Sequence, residues 1–260
     1  MYPYLKQGNR LPTVAAVQIL LNRSLQRGET IAVDGSFGRR TRKAIIDFQK
    51  RMNLGVDGVV GRNTWAALNQ FQGLQVIDTI DVAKAADIGY ENDAIRNAGG
   101  NPIVNHGMSG GLKVVLNKIL ARGQRGRVVL LRFHGHGSPG SMGLSTGTRS
   151  DVKFSDFDIS YFVSKHFGEF IARLTPMFCP FGSVEFHGCR VGAGASGKRF
   201  VQEFSRYLKV PVTAGKQTQY GGGRSTFRFE GATRSAFPGG KTLKEWSTSL
   251  AEAGQMSVQR

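Results

Sequence analysis

Cysteine is scarce: the 260 residues hold two, Cys179 and Cys189. One pair cannot build the disulfide framework that staples small secreted domains, so the fold must rest on a packed core. A bridge between these two thiols would silence either as a nucleophile, and both are expected to be free. Acidic residues are also few, 18 against 35 Lys and Arg, giving a net charge of +17. The excess is not confined to one helix or arm, since positions 1 to 70 hold 11 basic and 4 acidic residues and the remainder is basic as well. With no helix-turn-helix, zinc-finger or RNA-recognition signature to organise it, specific nucleic-acid readout is excluded. Anionic wall polymers or phospholipid remain as counterparts. No run approaches the roughly 18 apolar residues of a membrane span. The opening Met1-Tyr2-Pro3-Tyr4-Leu5-Lys6 lacks the basic stretch and the ~7–15 apolar residues of a secretory signal. The protein is therefore expected either to stay in the cytoplasm or to leave by a route that reads no cleavable signal, unless a signal has been removed.

What is present begins with a repeat. Val33-Asp34-Gly35-Ser36-Phe37-Gly38-Arg39-Arg40-Thr41 is echoed 23 residues later by Val56-Asp57-Gly58-Val59-Val60-Gly61-Arg62-Asn63-Thr64. In each copy Asp-Gly suits a tight turn, and Thr is placed to cap the helix that follows. Val14, Val17, Leu20 and Leu21, then Ala44, Ile45 and Phe48, then Trp65 and Leu68 recur at helical spacing. The pattern predicts a compact three-helix unit over residues 1–72, ahead of a larger domain over 73–260.

The larger part reads as α/β. Strands are expected at 74–77, 102–104, 128–131, 183–186 and 210–213, with helices at 82–98, 110–121 and 198–208 between them. An edge strand is expected at 225–230 and a terminal helix after Lys241. Strands alternating with helices predict a mostly parallel sheet covered on both faces, with functional groups beyond the carboxyl ends of its strands. Two polar loops follow buried strands there: Phe133-His134-Gly135-His136-Gly137-Ser138-Pro139-Gly140 and Phe186-His187-Gly188-Cys189-Arg190-Val191-Gly192. A thiolate nucleophile needs a neighbour to take its proton, and the two loops supply one Cys and one nearby His. Read as metal ligands, His134, His136, His187 and Cys189 would instead form a three-nitrogen, one-sulfur set suited to zinc. Cys179, between Phe178 and Pro180, reads as structural. The Gly-rich Tyr220-Gly221-Gly222-Gly223-Arg224 lacks the Lys-Ser/Thr ending of a phosphate-binding loop and reads as a mobile loop near the site.

Residues 4 to 70 resemble the peptidoglycan-binding domain appended to many cell-wall hydrolases, on both Asp-Gly-x-x-Gly-x-x-Thr copies and on Phe48-Gln49. That resemblance implies binding to glycan and stem peptide near Asp57, Gly58, Arg62, Asn63, Thr64 and Trp65. Residues from about Gln75 to Gly215 resemble the caspase-like cysteine peptidases, which include gingipains, legumains and separases, in a branch spelled His-Gly-Ser-Pro-Gly and Gly-Cys-x-Val. This second resemblance implies His136 and Cys189 as the catalytic pair and the backbone N–H groups of Gly137 and Cys189 as oxyanion hole. His134, His187 and Arg190 would lend support, with no metal and no cofactor. Together the two imply a peptidase of peptidoglycan stem peptides or cross-links, delivered without a cleavable signal to the periplasm or wall of a target bacterium. An immunity protein and a secretion-system component are the implied partners. A protease of envelope or host proteins anchored to the wall, or an inactive wall-binding adaptor, are the alternatives.

Overall fold

In the computed structural model the described residues are 3–25, 30–70, 72–81, 85–105, 112–143, 156–158 and 165–258. The paired repeats form α1 (Pro12–Ser24), α2 (Arg39–Arg51) and α3 (Arg62–Asn69). One glutamine organises each turn. Gln18 Nε2 donates to Asp34 Oδ1 at 2.9 Å, while its Oε1 accepts from the N–H of Asp34 and Gly35 at 3.0 and 2.9 Å. Gln49 does the same with Asp57 Oδ1 at 2.8 Å and with the N–H of Asp57 and Gly58 at 3.2 and 2.9 Å. Gly35 and Gly58 both sit at φ +70°, where a side chain would be strained. The threonines do not cap. Each lies in the first turn of its helix, three residues past Gly38 or Gly61, and is spent on the turn instead. Thr41 and Thr64 accept from Gln18 and Gln49 and donate to the carbonyls of Ser36 and Val59.

The second part is the expected α/β sheet, six strands in the order β2-β1-β3-β7-β8-β9. The strands are β1 (Gln75–Asp81), β2 (Ile103–Asn105), β3 (Val128–His134), β7 (Phe178–His187), β8 (Val212–Gly215) and β9 (Thr233–Ala236). All neighbours run parallel except β9, which pairs antiparallel with β8 and closes the edge. The edge strand is thus 233–236, and the stretch expected as a strand forms a 3-10 turn, Gly223–Phe227, that buries Thr226 and Phe227. A smaller sheet of β4 (Gly137–Ser138), β5 (Ser141–Gly143) and β6 (Asp156–Asp158) stands over the carboxyl rim. The helices are α4 (Ala85–Asn97), α5 (Leu112–Arg122), α6 (Lys165–Ala172), α7 (Gly194–Leu208) and α8 (Leu243–Val258). Residues 82–84 and 110–111 of the expected helices lie outside the described residues.

Alternation along the central strands assigns the two faces. Leu131, Phe133, Val184 and Phe186 pack with Leu116 and Ile119 of α5, Ile171 of α6 and Phe200 and Phe204 of α7. On the other face Leu130 and Phe181 belong to one continuous core with Val17, Leu20 and Leu21 of α1 and with Trp65 and Leu68 of α3. The three-helix unit is therefore a layer of the sandwich. Arg23 of α1 stacks over Phe181, Thr13 donates to Glu185 at 3.4 Å, and the 70–73 link is held by Arg127 donating to the Gln72 carbonyl at 2.8 Å. From the far side Trp246 of α8 packs with Ala15 and Val33.

Gln49→Ala leaves two turn N–H groups and the Asp57 carboxylate without their partner and should cost roughly 2–3 kcal/mol in urea unfolding. Because the core is continuous, tryptophan fluorescence and far-UV circular dichroism should trace one transition in wild type and variant; two separate transitions would show that the halves fold apart.

Candidate functional site

The pairing of β3 with β7 brings the two polar loops together. Phe133 lies opposite Phe186 and His134 opposite His187, so the strands end in step. His136 and Cys189 are each two residues beyond that last pair. A β-carbon on Gly137 would stand 3.0 Å from the Cys189 nitrogen and 2.9 Å from its carbonyl oxygen, so only glycine lets these backbones meet. Gly188 plays the same part for the other loop, where a β-carbon would come within 3.1 Å of the Gly135 carbonyl. Two further bonds tie the loops down: Gly140 N–H to Val191 O at 3.0 Å and Gly143 N–H to His136 O at 2.8 Å. His136 is exposed and Cys189 half-buried. Arg190 takes the left-handed conformation at φ +59°, rare for a non-glycine residue, and its exposed side chain follows the sharp turn at Cys189.

The thiol has a backbone cradle that the sequence reading missed. Cys189 Sγ donates to the Gln219 carbonyl and accepts from the Gln219 N–H, both at 3.4 Å. Gln219 is fixed in turn, its Oε1 accepting from Glu230 N at 2.9 Å and its Nε2 donating to Glu230 O at 3.0 Å. The Glu230 carboxylate accepts from the N–H groups of Tyr220 and Gly221, and Tyr90 of α4 donates to the Tyr220 carbonyl at 2.6 Å. The Gly-rich stretch expected to be mobile is thus anchored at its start from two sides.

Beneath the loops, on the α1 and α4 face, lies a buried polar layer. Asp78 Oδ1 accepts from Arg132 Nε at 2.7 Å and meets His134 Nε2 at 3.2 Å, while His187 Nε2 meets Glu185 Oε2 at 3.0 Å. The two imidazoles lie 5.2 Å apart, and Arg132, wholly buried, also faces the Phe227 ring. His134 Nδ1 is 3.7 Å from Glu91 of α4. Burial alone would raise the Asp78 pKa, but the Arg132 charge and the His134 bond hold it well below the ordinary carboxylate range. Burial, opposed by the Asp78 bond, lowers His134 to about 4. Burial and then the Glu230 charge push Glu91 up to about 8. His134 and His187 are therefore committed to carboxylates under the loops, and among the described residues no three His, Cys, Asp or Glu side chains are grouped as a metal would need.

Cys179 is 3% exposed at the other end of β7, and burial pushes its thiol up to about 12. An extended strand at ~3.3 Å per residue keeps it far from Cys189, and both cysteines are free. Of the candidate peptidoglycan contacts, Asp57, Arg62 and Asn63 are exposed. Gly58, Thr64 and Trp65 are buried, and the Trp65 indole donates to the Pro3 carbonyl at 3.1 Å.

Residues 10–68 match the family described as putative peptidoglycan binding domain. Three solved structures are similar to parts of the chain. A peptidoglycan-binding protein of Clostridioides difficile, in complex with glutamine hydroxamate, is 37% identical over 25% of this chain and 39% of its own, at a TM-score of 0.23. The SleB N-terminal domain is 30% identical over 27% of this chain and 93% of its own, at 0.25. A fused Zn-dependent amidase/peptidase/peptidoglycan-binding domain-containing protein of Clostridium acetobutylicum is 28% identical over 37% of this chain and 46% of its own, at 0.25. The chain thus spans under half the length of the first and third. No curated protein matches. Among the described residues no helix is long and apolar enough to cross a membrane.

The buried layer predicts a pH signature. The Glu91 pKa is raised from 4.5 to about 8, so its contribution to stability is lost as pH rises through that window; that of His134 is lowered from 6.5 to about 4, so its contribution is lost as pH falls through its own. The slopes cancel where the windows overlap, leaving a decline of about 2 kcal/mol between pH 6.5 and 8. Glu91→Gln should flatten that decline in chemical unfolding across the same range; an unchanged slope would place the titration elsewhere.

Proposed function

We propose that the chain is a peptidoglycan-directed cysteine peptidase working through Cys189 and His136. The observation that supports this most is the register of β3 and β7, which delivers the two loops side by side at the carboxyl rim with Gly137 against the Cys189 backbone. The mostly parallel sheet and the order of the motifs also suit the resemblance to caspase-like cysteine peptidases.

In this mechanism His136 takes the thiol proton and the Cys189 sulfur attacks a peptide carbonyl carbon. The oxygen becomes an oxyanion facing the N–H groups of Gly137 and Cys189. As the intermediate collapses, the C–N bond breaks and the imidazolium gives its proton to the departing amine. Water then attacks the thioester, His136 takes the water proton and returns it to the sulfur, and the carboxylic acid leaves. The buried pairs His134–Asp78 and His187–Glu185 act below the reacting atoms as positioning residues that stiffen the ends of β3 and β7. Arg190 holds the turn that presents the thiol.

The substrate follows from the N-terminal domain. A wall-binding layer packed rigidly on the catalytic sheet keeps stem peptides or their cross-links within reach of the rim, at high local concentration. Delivery to the wall of a target cell, with an immunity protein in the producer, is the setting this reading implies.

Purified sacculi treated with the enzyme should release new muropeptides detectable by mass spectrometry. Cys189→Ala should abolish release and His136→Ala should reduce it about 10²–10⁴-fold. Casein cleaved while sacculi stay intact would move the substrate to proteins, and a Cys189 inert to iodoacetamide near neutral pH would leave only a wall-binding adaptor. Gly137→Ala, which drives a methyl into the Cys189 backbone and the buried Val191 side chain, should lose activity by at least tenfold and lower stability by about 1–3 kcal/mol while still folding; full activity would show that the loops need not meet there.

A further inference from the structure

The charge of +17 takes no part in the chemistry above, and one cluster of it lies away from the dyad loops. Between α7 and the edge of the sheet at β9 runs a groove of about 640 Å³. Lys198, Arg206 and Lys209 line it from α7, and Arg234 and Lys241 from the opposite wall, with Glu203 as its one carboxylate. That carboxylate is already used, bound by Arg206 through Nη2 at 2.6 Å and Nε at 3.0 Å. Lys241 donates to Ser249 Oγ at 3.3 Å and lies close enough to the exposed Glu245 to help lower the pKa of that carboxylate. Among the described residues Lys198, Lys209 and Arg234 have no ion pair, so three cations face the groove without a counter-charge.

One local feature is costly unless an anion enters, and a second marks the end of α7. The Arg234 Nε–H is buried and has no acceptor among the described residues. Lys209 occupies the left-handed position that ends α7, at φ +58°, where glycine would sit without strain.

We infer that this groove binds an anionic chain of phosphodiester groups, the polyol-phosphate class of envelope polymer. Guanidinium and ammonium groups spaced along an open groove suit successive phosphates, and the forked N–H donors of Arg234 suit a single phosphate's oxygens. Nucleic acid shares that charge but not the remaining fit. The only aromatic side chain in the lining is Phe237, which is 9% exposed, so no ring is presented for bases to stack on. The groove's upper end lies on the rim of the candidate site: Lys198 stands in the first turns of the helix that follows the Cys189 loop, and Thr233 pairs with Gly215 at the end of β8. Phe237 of the groove wall packs with Ala15 and Val33, so a polymer lying along α7 would pass beside the N-terminal helices on its way to the rim. This inference rests on the N-terminal domain's wall binding and not on the peptidase chemistry.

The test uses the full chain carrying Cys189→Ala, so that the wall is not digested. Binding is measured on sacculi that retain polyol-phosphate polymer, on the same sacculi stripped of it by hydrofluoric acid, on soluble polyglycerol phosphate, and on duplex DNA. The polymer-bearing wall should bind at least tenfold more tightly than the stripped wall at low salt. Replacing Lys198, Lys209 and Arg234 together by Gln should remove that difference and reduce the slope of log affinity against log salt by about 2. Lys209→Gly, which relieves strain while removing a charge, should bind polymer more weakly and yet melt no lower than wild type, so a loss there cannot be misfolding. Wild-type affinity in the triple variant, no binding of the soluble polymer, or tighter binding of duplex DNA through the same residues each overturns the assignment. Residual binding to stripped sacculi reports the N-terminal domain separately, and its loss would count against wall recognition rather than against the groove.

Discussion

The parallel pairing of β3 with β7, in the register that sets His134 beside His187, is the constraint on which the candidate site depends. Side chains alternate across a strand, so slipping either strand by one residue would carry Arg132 and His134 into the aromatic core of Phe200 and Phe204, and bring Phe133 onto the polar face. Two forces oppose that slip. Phe133 stacks on Phe186 at 4.8 Å on the apolar face. On the other face Asp78 clamps Arg132 and His134 on the neighbouring strand, where an uncompensated guanidinium would be far more costly than a surface charge. The loops that follow inherit their alignment from this double lock, which is why His136 and Cys189 leave the sheet at the same level.

The same polar layer explains why the N-terminal domain is part of the body. A sheet face carrying Asp78, Arg132, His134, Glu185 and His187 needs a cover that supplies partners as well as apolar area. Its upper half is covered by α4 with Glu91 and by the 3-10 turn with Phe227, and its lower half by α1, which brings Thr13 to Glu185 and an apolar stripe to Leu130 and Phe181. The three-helix unit here fills the place of a helical layer. Removing it would expose Leu130, Phe181 and Cys179 and leave Glu185 with one partner fewer.

Much of this was readable in the sequence, because it depends on local patterns. Turn residues repeated at a fixed interval marked the N-terminal domain, strand–helix alternation marked the parallel sheet, and glycine-flanked His and Cys after apolar runs marked the rim. What escaped notice depends on contacts between residues distant in the chain. Thr41 and Thr64 looked like caps because capping residues are identified by type, whereas their use was decided by Gln18 and Gln49, reaching 23 and 15 residues across the turns. The 225–230 stretch alternates like a strand, yet Gly222 and Gly223 bend it into a turn and the edge position goes to 233–236. One signal was present and overlooked: Arg132-x-His134 and Glu185-x-His187 place polar residues at period two inside otherwise apolar strands, the pattern of a face that buries charge in pairs. Gln219, whose backbone holds the thiol, carries no such mark, since main-chain bonding is indifferent to residue type.

That cradle also connects the thiol to the N-terminal end of the molecule. Cys189 Sγ is held by Gln219, Gln219 by Glu230, and the segment leading to Glu230 begins at Phe227, whose carbonyl accepts from Tyr4 N–H at 3.0 Å. Arg224 completes the seam by lying over the Tyr4 ring. Nearly every link uses a backbone group, so the spacing between the N-terminal segment and the sulfur varies little. A flexible linker would confer only a raised local concentration, falling off with its length. A short bonded path through a shared core instead fixes the orientation of the first three helices relative to the rim.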